Sequence, residues 1–103
     1  MPSVNVNFDI NVDVNQLIRQ VAGFGPSSYN DRRPPEGGRF ISVQERGQVI
    51  AAYFHPTRNH SATAVTGFRH DRRARSEAPP GRWAIATIGH DILGGDQTFY
   101  DVQ

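Results

Sequence analysis

Residues 3–15 alternate without a break. Val4, Val6, Phe8, Ile10, Val12 and Val14 are interleaved with Asn5, Asn7, Asp9, Asn11 and Asp13. A strict period of two is the pattern of a half-buried strand. Asparagine and aspartate are poor strand formers, so the apolar face must be what fixes it. Eleven such residues would span ~36 Å, against a diameter of ~33 Å for a compact domain of this size. The strand is therefore expected to bend, overhang, or pair with a second chain, and an overhanging strand is a natural site of exchange between copies.

The rest of the chain reads as short elements. Asn15 is the expected N-cap of a short helix near residues 15–22, with Leu17, Ile18 and Val21 as its apolar stripe and Gly23 as its stop. Residues 25–38 are a loop by composition. Residues 39–44 and 48–54 read as strands joined at Glu45-Arg46-Gly47, and His55-Pro56 closes the second. Residues 60–68 and 83–89 are further strands, residues 69–82 a long polar loop, and residues 97–102 a closing strand. With 10 glycines, 7 prolines and 37% hydrophobic residues, the 103-residue chain is expected to be all-β: a small antiparallel β-sandwich or barrel of about six strands with one short helix, in a single domain over residues 1–103. Within it, residues 1–23 form the long strand and helix, exchanged between chains, and residues 39–103 form the core.

Charge is informative by position. All eleven basic residues are arginine. Residues 32–82 hold ten of them against four carboxylates, a net of +6, while residues 1–31 carry −2 and residues 83–103 carry −3. Arg69, Arg72, Arg73, Arg75 and Arg82 fall in the one polar loop. There they either form a solvated basic surface or close on a pyrophosphate-like anion through bidentate bonds. Tyr53-Phe54 and Phe99-Tyr100 are sequence neighbours, so one of each pair should face outward; Tyr53 and Tyr100 are the expected aromatic surface beside the arginines.

Other chemistries find little support. With no cysteine and no H-x-x-x-H helix, the scattered His55, His60, His70 and His90 do not make a zinc site. The Asn/Asp face of the first strand spreads its oxygens at ~7 Å, too far apart for calcium. His60 and Ser61 are adjacent in a strand and point to opposite faces, so no catalytic pair forms. No nucleic-acid-binding motif accompanies the net charge of +1. No enzyme, cofactor, metal or nucleic-acid partner is expected. The longest apolar run, residues 49–54, is far short of a membrane span. Residues 1–12 do not read as an export signal, so the protein either stays inside the cell or loses a leader first.

One order of motifs is specific. His60-Ser61-Ala62-Thr63-Ala64-Val65 is followed, beyond the arginines, by Pro80-Gly81-Arg82-Trp83-Ala84-Ile85-Ala86-Thr87-Ile88-Gly89 and then by Phe99-Tyr100. With the strand at residues 49–54, this resembles the lactococcin 972 type bacteriocins over roughly residues 39–102; residues 1–38 are unmatched. The resemblance implies a cysteine-free, self-associating β-sandwich that is secreted, is not an enzyme, and blocks septum formation by binding the cell-wall precursor lipid II without forming pores. Its anionic ligand would then meet the arginine loop. The alternative is a self-assembling structural or protein-interaction module on the same fold; a calcium- or sugar-binding module is a third reading.

Overall fold

A computed structural model describes residues 8–67, 72–90 and 94–103. Helix α1 spans Val14–Ala22, followed by strands β1 (Asn30–Arg32), β2 (Arg39–Glu45), β3 (Gln48–His55), β4 (His60–Thr66), β5 (Arg72–Ala78), β6 (Arg82–Gly89) and β7 (Gln97–Val102). The protein is all-β apart from the helix. Two antiparallel sheets form the sandwich, one in the order β1-β2-β3-β6, the other β5-β4-β7. β2 and β3 meet in a two-residue hairpin in which Glu45 pairs with Gln48, and Arg46 and Gly47 both take positive φ, 52° and 72°, the backbone that matches strand twist.

The four-stranded sheet is covered on both faces. On one side Ile41, Val43, Ile50, Ala52, Phe54 and Trp83 pack against Val12, Val14, Leu17, Ile18 and Phe24. On the other, Phe40, Val49, Ala51, Tyr53, Ala84 and Ala86 meet Ala62, Ala64 and Ala78 of the second sheet. The small alanines let the two sheets approach, and the aromatic residues fill one end. The molecule thus has three layers: the N-terminal segment with α1, the four-stranded sheet, and the three-stranded sheet.

The expected N-terminal strand is corrected for residues 8–13. They form no strand; the Val12 N–H bonds to the Asp9 carbonyl at 3.1 Å, and the helix begins at Val14. The alternating apolar residues still pack on the helix-side core, Val12 and Val14 buried and Phe8 and Ile10 half-buried against it. Their backbone is satisfied by a side chain instead of a ladder: one guanidinium nitrogen of Arg39 donates to the carbonyls of Ile10 and Val12 at 2.9 and 2.6 Å. The overhang on which strand exchange was expected is absent from these residues, and residues 1–7 lie outside the described ones. The N-cap is Asp13, whose side chain accepts from the Asn15 N–H, in place of the expected Asn15; Gly23 ends the helix as expected, at φ 85°.

Two loops are corrected as well. The expected loop at residues 25–38 contains β1, so the sheets hold seven strands among the described residues. The expected arginine loop contains β5, paired with β4 from Thr66↔Arg72 to His60↔Ala78. Its sequence alternates Arg73, Arg75 and Glu77 toward water with the small Ala74, Ser76 and Ala78 toward the core, which suits a strand at a sheet edge.

Candidate functional site

The three-stranded sheet turns one face to the core, and on its outer face the flanking strands are exposed while Ser61 and Val65 of central β4 are buried. Its register sets three rows on that outer face: Arg73, Val65 and Gln97; Arg75, Thr63 and Phe99; Glu77, Ser61 and Asp101. Arg73 and Arg75 lie two residues apart on the same face of β5, which separates their Cα atoms by ~7 Å. Arg75 pairs with the Glu77 carboxylate. Across the sheet, in the same row as Arg75, stands Phe99, 50% exposed. One end of this face is therefore cationic and aromatic, and the other carries Glu77 and Asp101.

The five arginines do not converge. Arg72 precedes Arg73 in an extended strand and projects to the other side. Arg82 opens β6, past the turn that follows β5. It lies ~20 Å from Arg72 by strand rise, and its carbonyl is 2.7 Å from His60 Nε2. Arg69 lies outside the described residues. Of the four described arginines in this set, only Arg73 and Arg75 share a face of one strand.

The expected aromatic surface is corrected. Tyr53 is 0% exposed; β3 is covered by a layer on each side, so neither Tyr53 nor Phe54 faces water. The Tyr53 hydroxyl donates to the Gly37 carbonyl at 2.7 Å, and burial pushes its pKa up to about 12. Tyr100 points inward from β7, its ring 4.9 Å from that of Tyr53 and 5.1 Å from that of Phe40. Its hydroxyl donates to Glu36, which raises its pKa. The outward aromatic residue is Phe99, one position away. The register of Gln97–Val102 could have found it: once Thr98, Tyr100 and Val102 face the core, Phe99 must face out.

The buried histidines serve the fold. His55 Nδ1 accepts the N–H groups of Thr57 and Arg58, at 3.2 and 3.1 Å, leaving Nε2 to donate to the Glu36 carbonyl at 3.0 Å. His60 lies between the carbonyls of Arg58 and Arg82, at 2.8 and 2.7 Å. No group of three or more potential metal ligands occurs among the described residues.

A family model described as bacteriocin (lactococcin 972) matches residues 37–100. The match takes in both sheets from β2 onward and leaves out α1 and β1. A solved structure of lactococcin 972 superposes with a TM-score of 0.56 at 24% identity, covering 64% of this chain and 98% of its own. At that identity the likeness establishes the fold. No curated protein matches the chain.

Proposed function

The chain belongs to the lactococcin 972 family of bacteriocins, and from that membership we propose a non-enzymatic antibacterial protein that binds an anionic cell-envelope ligand such as lipid II on the open face of the β5-β4-β7 sheet. The observation that carries the reading is the pairing of Arg73 and Arg75 on that face, in line with exposed Phe99. Two guanidinium groups at this spacing can each take one phosphate of a pyrophosphate through charge-assisted bonds. Phe99 offers an apolar plane to the sugar or lipid portion beside it. Arg72, at the end of the same strand, adds to the local positive field. The Arg75–Glu77 pair holds one guanidinium ready, and an incoming phosphate would compete with Glu77 for it. No described helix is long and apolar enough to cross a membrane, and binding at a sheet face requires no such span.

The test is a titration with lipid II in detergent micelles. We expect the Arg73→Gln/Arg75→Gln double variant to lose roughly a hundredfold in affinity, about tenfold for each charge-assisted contact. Both residues are exposed, so the melting temperature should stay within a few degrees of the parent. Equal affinity in the parent and the double variant would remove this face as the site.

A further inference from the structure

A second surface lies at the opposite edge of the same sheet. β7 pairs with β4 on one side, and no described strand pairs with the other. The Gln103 N–H bonds to the Asn59 carbonyl at 2.9 Å, which sets the phase of the ladder. In an antiparallel pair the bonding direction alternates, so Gln97, Phe99 and Asp101 bond toward β4, and Thr98, Tyr100 and Val102 turn their backbone groups outward. The Val102 N–H is taken up by the Asp101 carboxylate at 2.9 Å. Those of Thr98 and Tyr100 have no partner among the described residues.

The space beside this edge has a floor. β1 and β2 reach past β7, and their register places Asn30 beside Ser42 and Arg32 beside Phe40 on the side that faces β7. The result is a cleft of about 300 Å³ lined by Asn30, Asp31, Arg32, Phe40, Ser42 and Thr98. The Ser42 and Thr98 hydroxyls are bonded to each other at 2.7 Å. Arg32 stands at the mouth, its guanidinium carbon 5.5 Å from the centre of the Phe40 ring and 5.3 Å from that of Tyr100. Among the described residues its guanidinium has no hydrogen bond or ion pair. The neighbouring Asp31 has both carboxylate oxygens committed to Arg39. Contact with two rings orients a guanidinium while leaving its N–H edge able to grip a carboxylate.

We propose that this cleft binds the C-terminal end of an extended peptide. Roughly three residues of the guest add to β7 as a further, parallel strand, the central residue's N–H donating to the Thr98 carbonyl and its carbonyl accepting from the Tyr100 N–H, with the terminal carboxylate on Arg32. A simple anion would use Arg32 and leave the strand edge unpaired. A second copy joined edge to edge through β7 would drive its own β1 and β2 into the space that the first copy's β1 and β2 already fill. A single strand fits where a sheet does not. The inference stands apart from the Arg73–Arg75 face and does not depend on it.

The experiment titrates nitrogen-15-labelled protein with acetyl-Val-Thr-Val in three forms: the free acid, the C-terminal amide, and the free acid N-methylated at the central residue. The free acid should shift the amide signals of Thr98 and Tyr100. Amidation, N-methylation and Arg32→Gln in the protein should each weaken binding about tenfold, while Arg73→Gln leaves it unchanged. If the acid and the amide bind alike, or Arg32→Gln matches the parent, the carboxylate assignment falls. If acetate alone binds as tightly as the peptide, or N-methylation has no effect, strand addition falls. Absence of any shift at millimolar peptide, or a doubling of mass in sedimentation in place of a shift, overturns the site as a whole.

Discussion

Arg39 grips Asp31 through two parallel hydrogen bonds, Nε to Oδ1 at 2.9 Å and Nη2 to Oδ2 at 2.7 Å, while its remaining nitrogen holds the carbonyls of Ile10 and Val12. One side chain, 9% exposed, thus ties β1 to β2 and the N-terminal layer to both. Removing it with Arg39→Met orphans two carbonyls and a carboxylate. A cost of roughly 2–4 kcal/mol is expected in urea unfolding, with loss of hydrogen-exchange protection spreading through α1.

The same pair sets an acid limb. The Arg39 guanidinium holds the Asp31 carboxyl below its ordinary value of 3.8. A lowered folded pKa means that the pair's stabilisation is complete above pH 3.8 and is lost as the pH falls through the lower, folded value. Asp31→Asn should therefore be less stable than the parent at neutral pH, and the gap should narrow as the pH falls below 3.8 in paired urea titrations.

Glycine matters differently at two turns. A Cβ on Gly38 would lie 2.0 Å from the Phe54 carbonyl oxygen, with φ at 85°. A Cβ on Gly23, also at φ 85°, would meet nothing within 4 Å. Gly23→Ala should cost about 1 kcal/mol, the backbone penalty alone. Gly38→Ala should cost about 3 kcal/mol or more, because backbone must move. Thermal melts of the two variants check the contrast.

Tyr53 gives the chain an alkaline limit. Its pKa is raised to about 12 by burial, so in the folded state it stays neutral while the unfolded chain begins to ionise near its ordinary 10.0. Its contribution is complete below pH 10 and is lost as the pH rises toward 12. Tyr53→Phe should lose about 1 kcal/mol at neutral pH, the worth of the bond to Gly37, and should destabilise less steeply above pH 10. Tyrosinate absorbance followed with pH should show one late-titrating group missing from the variant.

The single tryptophan reports on the N-terminal layer. Trp83 is buried beneath it, with its indole N–H pointing at the Asp9 carbonyl at 3.4 Å. Leu17→Ala should cost about 2–5 kcal/mol through the cavity it leaves and should shift Trp83 emission to the red before the sheets melt.

Much of the sandwich was legible because its signals are local. The apolar run Val49 to Phe54, the Glu45-Arg46-Gly47 turn and the alternating residues Gln97 to Val102 each carry their own punctuation. What failed depended on distant partners. A strand with one wet face would leave one of Tyr53 and Phe54 outside, but Tyr53 faces the second sheet and the third layer, built from residues 8–24, covers Phe54. Residues 8–13 alternate like a strand, yet Val14, Leu17, Ile18 and Val21 make a helix stripe just beyond, and Arg39, far along the chain, satisfies the backbone between. The arginines of β5 read as a loop when charge is weighed above period, although Ala74, Ser76 and Ala78 mark the inward face. Arg32 is silent in the sequence because nothing in its own neighbourhood reveals the two rings that orient it.

β3 is the strand that both outer layers lean on. Its amide protons can meet solvent deuterons only when the whole assembly comes apart. The slowest deuterium uptake in the protein, at Val49 through Phe54, should therefore measure the free energy of global opening, while the amides of β5 and β7 on the outer sheet edges exchange through smaller and cheaper fluctuations.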